Sequence, residues 1–466
     1  MKQNGQWLSQ VRTRSKTAEA TISPSGSPWA FATTTSRSAP SSARTRRATS
    51  AGSVSCWYSI TSVGTRPATV TSRSPGAIPA RCAGEPSTTS VTSGSSIATS
   101  LRRLGSPRDL YARGVRVDRV LLASPRGFCA GVEKAIKALD WMVTVFEPPV
   151  FCYHEIVHNR HVVDHFRERG VVFIDDVAEV PAGAPVMLSA HGSPPAVVAA
   201  ARGSGGVVVD AVCPLVTKVH HELKVRAQKG YTVLYVGHAG HEEAVGTMAV
   251  APAAVRLIES TEDLDAIAPG EAPIALLSQT TLSYDEWAHL RDHATRRFEG
   301  LWMPGRSDLC FATTNRQAAL REIAARADAV VVIGSANSSN TVALVAVARG
   351  SGCERVLRVN TADELPDDLE GVVGVTAGAS APDSLVDEVI EALAPARGVE
   401  TVEVTEEDEY FPPPPELREL LRALAAALAV LTDAPSDPGD PVGDDRGTCA
   451  AAVLADAARP AARVGD

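Results

Sequence analysis

No stretch of this 466-residue chain reaches the roughly 18 uninterrupted apolar residues that a bilayer-spanning helix needs. The most apolar run, LLRALAAALAVL, is shorter and carries Arg422. A secreted disulfide framework is missing too. The eight cysteines lie at wide, irregular spacings, which suits a reducing compartment and predicts a cytoplasmic protein without a membrane partner. No Gly-x-x-x-x-Gly-Lys-Ser/Thr loop is present, so nucleotide hydrolysis is not indicated. No Gly-x-Gly-x-x-Gly fingerprint follows a strand, so a dinucleotide site is unsupported.

The first hundred residues lack acid and apolar periodicity. They hold 38 Ser or Thr, and such a segment cannot bury enough surface to offset its ordering entropy. Residues 1–113 therefore read as a low-complexity, disordered or non-native leader. A transit peptide shares its Arg- and Ser-rich composition, but an upstream start or a wrong reading frame is preferred. A nucleic-acid arm is disfavoured, because the arginines are scattered and no aromatics interleave with them. Cys56 and Cys82 fall here and receive no role. Residues 1–116 carry 16 Lys/Arg against 3 Asp/Glu, a balance of +13. In a chain of −9 this leaves −22 on residues 117–466. An acidic body that takes an anionic ligand must use local donors and helix ends, since its overall field repels anions.

From Arg116 onward, Val-rich segments alternate with helical ones. VDRVLLAS, PVFCYHEI, VVFID, PVMLSA, VVVDAV, TVLYVGH, IALLSQ, AVVVIGSA, RVLRVN and VVGVTAGAS read as strands. Non-alternating strands separated by helices predict an α/β fold with mainly parallel sheets covered on both faces. In such sheets ligands sit at the carboxyl ends of strands. The tail from about Glu416 reads as one Leu/Ala-rich helix and then a disordered segment holding an inert Cys449.

Three cysteines stand at helix starts. Cys129 precedes AGVEKAIKALDWM, Cys213 precedes PLVTKVHHELKVRA and Cys310 precedes FATTNRQAALREIAARA. They lie 84 and 97 residues apart, one per domain-sized interval. Helix N-termini favour thiolate, the form that ligates iron or zinc. Three thiolates leave a fourth metal position open for chemistry. The competing reading is three unrelated core cysteines. Cys152, mid-strand, and Cys353, in a Ser-Gly-Cys turn, read as structural.

Polar residues gather at the strand ends. His158 precedes a helix; His191 follows a strand; His238, His241, Glu242 and Glu243 share a glycine-rich turn. Thr280, Thr281, Ser338, Ser339, Asn340 and Ser380 fall at helix starts. Each alone reads as a cap or a surface residue. Together they form a neutral cradle for phosphate oxygens, to which the histidines add switchable charge. A diphosphate fits this set.

The stretches SPRGFCAGVEKAI, HEIVHNRHVVD, SAHGS, CPLVTKVH, GHAGHEEAVGTM, SQTTLS, CFATTNRQ, GSANSSN and TAGASAPD follow in this order. In sequence and spacing they resemble the 4-hydroxy-3-methylbut-2-enyl diphosphate reductase family, bacterial type, over about residues 117–415. The resemblance implies a cloverleaf of three similar α/β domains, at 117–212, 213–305 and 306–405, around a central iron–sulfur cluster, with 406–466 as a C-terminal segment. It implies that Cys129, Cys213 and Cys310 ligate one 4Fe–4S cluster with an open fourth iron site. By the same resemblance His158, His191, His241, Thr280, Ser338, Ser339, Asn340 and Ser380 contact the substrate, and Glu243 donates a proton. The implied reaction turns an allylic alcohol diphosphate into isopentenyl and dimethylallyl diphosphate, with a ferredoxin or flavodoxin as electron donor. Two other classes use the same cysteines: a non-catalytic iron–sulfur redox sensor and a zinc-dependent hydrolase. Ala336, where some members carry lysine, and Glu242, where some carry proline, are departures expected to lie outside the site. Glu242→Gln is accordingly expected to stay near wild type.

Overall fold

A computed structural model describes residues 116–432, apart from 269 and 271, and residues 445–455. The expectations for residues 1–113 lie outside the described residues.

Among the described residues, twelve strands form three sheets in which every pairing is parallel. Strands β2 (Val150–Tyr153), β3 (Val171–Ile174), β4 (Val186–Leu188) and β5 (Val208–Asp210) make a four-stranded sheet in the order β3-β2-β4-β5. A three-stranded sheet, β7-β6-β8, is built from β6 (Thr232–Val236), β7 (Val255–Ile258) and β8 (Ile274–Ser278). The third sheet has five strands. It joins β9 (Ala329–Ile333), β10 (Arg355–Val359), β11 (Glu370–Ala377) and β12 (Val399–Glu403) to β1 (Arg116–Ser124), in the order β10-β9-β11-β1-β12.

That last sheet corrects the expected first boundary. β1 does not belong with residues 117–212; it pairs with β11 and β12. Its residues bury on both faces. Val117, Val120 and Leu122 join one core with Val331 and Val375, while Leu121 and Ala123 join another with Leu320 and Leu344. A strand apolar on both sides needs a sheet with helices on both sides, and the five-stranded unit supplies it. The next helix, Ala130–Val145, sends Val132, Ile136 and Leu139 into the core of the four-stranded sheet instead. The chain crosses between units over residues 124–130, and Cys129 lies at the crossing.

The Leu/Ala-rich helix expected from about Glu416 is present as Pro415–Thr432, while residues 445–455, expected within a disordered segment, carry a second helix. Helix Pro415–Thr432 buries Leu417 and Leu421, and helix Ala450–Ala455 buries Ala450 and Val453, all in the core of the four-stranded sheet. One anchor of residues 445–448 is the Lys137 ammonium, which is 5% exposed. It reaches the carbonyls of Asp445 and Thr448 and pairs with the Asp445 carboxylate at 3.1 Å. Sequence reading also passed over two strands: β7, a short edge strand, and β12, whose VETVE pattern looks solvated.

Among the described residues no helix is long and apolar enough to cross a membrane.

Candidate active site

Each of the three cysteines is the N-cap of its helix: Cys129 for Ala130–Val145, Cys213 for Pro214–Gln228 and Cys310 for Phe311–Ala324. Their backbone N–H groups are anchored in a common way. Cys129 donates to Ala379 O (3.2 Å), Cys213 to Ala190 O (3.0 Å) and Cys310 to Thr280 O (3.1 Å). Those acceptors adjoin Ser380 and His191, or are Thr280 itself. The backbone thus couples each thiol to a loop of the polar cradle.

All three thiols line one cavity of about 110 Å³, along with His158, His191, His241, Glu243, Thr280, Ser338, Ser339, Asn340 and Ser380. Every site residue expected from sequence therefore lies on one wall or another of a single space. Ala336 is exposed and does not line it. Cys152 is buried in the four-stranded sheet and Cys353 at 4% exposure elsewhere, both away from the cavity.

The thiol environment differs from the expectation that helix ends would favour thiolate. Burial, and then the charge of Cys129, push Cys213 up to about 12 and Cys310 up to about 11. Desolvation outweighs the helix-end contribution. Thiols held protonated by burial need a cation to ionise them, and a donor set of three sulfurs on one cavity suits a metal group. The packing suits it as well. A Cβ on Gly131 would lie 2.8 Å from Cys213 Sγ and 3.8 Å from Cys129 Sγ, so glycine keeps that space clear. Cys310 Sγ accepts the Thr313 N–H at 3.2 Å and lies 3.0 Å from Thr313 Oγ1.

Glu243 is 2% exposed. Its Oε1 accepts the Thr280 N–H at 2.7 Å and its Oε2 accepts the Thr280 hydroxyl at 2.8 Å. Burial pushes the carboxyl up, the two Thr280 bonds draw it part of the way back, and it settles at about 7. A carboxyl at that position is an acid matched to neutral pH.

The histidines are sorted by their partners. His241 Nδ1 accepts the Glu243 N–H at 3.1 Å, so the neutral ring carries its proton on Nε2. Burial, then the neighbouring His191 and His158, hold His241 down at about 3. His158 and His191 stack at 4.0 Å and 14°. Ser339 Oγ accepts from Gln279 Nε2 and Thr281 Oγ1. Ser380 Oγ donates to His158 O at 3.0 Å. Asn340 is 3% exposed, and its Nδ2 and Oδ1 have no hydrogen-bond partner among the described residues. Buried polar atoms of this kind are costly unless a ligand meets them.

Sequence reading missed several supporting side chains. Arg316, 0% exposed, donates to the carbonyls of Gly127 and Phe128 just before Cys129 and pairs with Glu407 at 2.9 Å. It lies six residues after Cys310 in CFATTNRQ, a stretch read only for its cysteine. Lys134 Nζ donates to Val212 O at 2.8 Å, next to Cys213. Buried Asp308 accepts from Lys218 Nζ and Ser278 N–H, joining the Cys213 helix to the Cys310 loop. Glu242 does not line the cavity, but its Oε2 lies 2.8 Å from Nδ1 of His191, which does.

A family model described as LytB protein matches residues 120–394. The chain is 46% identical over 317 residues to the 4-hydroxy-3-methylbut-2-enyl diphosphate reductase of Leifsonia xyli subsp. xyli, covering 67% of this chain and 94% of that one. Against the enzyme of the same name from Streptomyces avermitilis it is 45% identical, covering 66% and 94%. The solved structure of the E-1-hydroxy-2-methyl-but-2-enyl-4-diphosphate reductase from Plasmodium falciparum superposes with a TM-score of 0.64 at 28% identity, over 67% of this chain and 99% of that one.

Proposed function

The chain belongs to the LytB protein family, and from that premise we propose that it reduces (E)-4-hydroxy-3-methylbut-2-enyl diphosphate to isopentenyl and dimethylallyl diphosphate, the last step of the methylerythritol phosphate route. The observation that carries this reading is the single cavity shared by three helix-capping thiols, a neutral-range acid and a diphosphate cradle.

Cys129, Cys213 and Cys310 are the residues that would hold one 4Fe–4S cluster by three of its irons. When bound, the cluster supplies two electrons singly and a Lewis-acidic iron for the substrate hydroxyl. The protein's part is positioning and protonation. Asn340 offers its unpartnered amide, Ser338 and Ser339 their place at a helix start, and His241 its Nε2–H to the diphosphate. His158, His191 and Ser380 complete the cradle. Glu243, which titrates at about 7, delivers a proton to the departing hydroxyl in its acid form, directly or with the neighbouring Thr280 hydroxyl turned to accept from it and donate onward. The C–O bond breaks, water leaves, and a second proton goes to the allyl fragment. Overall, two electrons and two protons enter per turnover. We place the enzyme in the cytoplasm with a ferredoxin or flavodoxin as donor.

The test is anaerobic turnover of the allylic diphosphate with a reduced viologen dye. Consumption of two dye equivalents per product supports the reading. A brown, substrate-inert protein would favour a redox sensor, and a colourless zinc protein a hydrolase.

A further inference from the structure

Glu242 is the first residue of helix Glu242–Met248, directly after the N-cap His241. From there its carboxylate reaches across to His191 on another unit's strand end, with Oε2 at 2.8 Å from Nδ1. Burial alone would raise this carboxyl. The hydrogen bond from His191 and the charges of His191, His158 and His154 overcome that and hold it at about 2. An ionised partner at that distance receives a proton from Nδ1, so His191 is fixed with Nδ1–H toward Glu242. The opposite nitrogen, Nε2, is then the one left for a ligand in the cavity that His191 lines.

The geometry points to Glu242 as a positioning residue that orients His191 and lets it become a cation when a diphosphate binds. The inference rests on the diphosphate reading of the cavity. Without ligand, burial and the stacked His158 keep His191 below the ordinary histidine range, while Glu242 acts against them. A diphosphate adds negative charge on the Nε2 side. The imidazolium then lies between two anions, which offsets the cost of charging it in a buried site. The same carboxylate–histidine pairing orients ligating imidazoles in metal sites.

The charged and titratable groups facing this pair come from several elements. His154 and Glu155 follow β2, with His154 Nδ1 at 4.0 Å from Glu242 Oε1 and 3.3 Å from Asp175 at the end of β3. His154 adopts a left-handed backbone (φ 59°), rare for a residue with a side chain. His158 stacks on His191, and His241 and His238 come from the Glu242 turn. His158, His191 and Glu242 also lie within 4.8 Å of one another as possible cation ligands. The 2.8 Å His191–Glu242 contact is accounted for by the Nδ1–H hydrogen bond, so no metal is invoked.

The test compares wild type, Glu242→Gln and Glu242→Pro. Proline is favoured at a first helical position, so the second variant guards against misfolding. Inorganic diphosphate is the probe, its Kd measured between pH 6 and 9 on the cluster-loaded protein, with KM and kcat for the allylic diphosphate alongside. Both variants should weaken diphosphate binding by about 10–100-fold near pH 8, the size of a lost charge-assisted contact. KM should rise in step while kcat changes much less, and the gap should narrow as pH falls, because protonating His191 against the bound diphosphate then needs less help from Glu242. Glu242→Asp should restore part of the affinity. Unchanged Kd in both variants at pH 8, or a loss confined to kcat, would overturn the assignment. Failure of the wild type to turn over the allylic substrate, with diphosphate binding intact, would instead count against the proposed function.

Discussion

At Glu243 two opposing forces can be weighed. Burial raises its carboxyl and two bonds from Thr280 lower it, with burial ahead, so the group is protonated for catalysis below about 7. The acid form is depleted as pH rises through that value. In the free enzyme kcat/KM should therefore be flat below about 7 and fall tenfold per unit above it. Glu243→Gln keeps shape and reach but has no acidic proton. It should retain its iron and bind substrate, lose on the order of 10²–10⁴ in kcat, and lose this pH limb. Unchanged turnover would move the proton source to another group. Glu242→Gln, expected from sequence to stay near wild type, is predicted instead to weaken substrate binding, because the Glu242 carboxylate contacts His191. Its adjacency to Glu243 was plain in the chain. What was hidden was the approach of SAHGS from another unit, since tertiary contacts between loops leave no mark on local spacing. The thiol environment was hidden for a similar reason: helix-start position is a local signal, whereas burial depends on all three units.

At the scale of elements, the three capped helices were the most legible feature. A thiol, a break and an amphipathic run are visible locally, and all three N-caps stand where the sequence places them. The clamps between them were not legible. Arg316 projects from the Cys310 helix into the loop that carries Cys129 and into Glu407, and nothing in its flanking residues says so. Replacing Arg316 by Met removes the partner of a part-buried carboxylate and leaves the Gly127 and Phe128 carbonyls unpaired. Stability should drop by about 3–5 kcal/mol, read as a lower denaturant midpoint, and iron should be lost faster on exposure to a chelator. An Arg316→Met protein with wild-type midpoint and iron retention would show that the clamp contributes nothing.

For the whole molecule, strand–helix alternation made the α/β class and parallel sheets readable from Val-rich runs. Sheet membership was not readable, because β1 carries no sequence label for the β11–β12 gap it fills. The tails divide in the same way. Deleting residues 1–113 should leave iron content and turnover unchanged. Deleting 433–466 removes the Val453 side chain and the carbonyls that hold Lys137. Stability should then fall by about 2 kcal/mol or more, read as a lower denaturant midpoint, from the lost Ala450 and Val453 packing and one unpaired buried ammonium. A tail deletion with unaltered stability would contradict the packing of that helix. The central claim, that Cys129, Cys213 and Cys310 converge on one iron–sulfur cluster, is tested most directly by metal and acid-labile sulfide analysis of anaerobically purified protein. Wild type should hold about four iron and four sulfide per chain, each single Cys→Ser change at these three positions should strip most of both, and Cys353→Ser should strip neither. Stoichiometric zinc without sulfide, or full iron in Cys213→Ser, would contradict it.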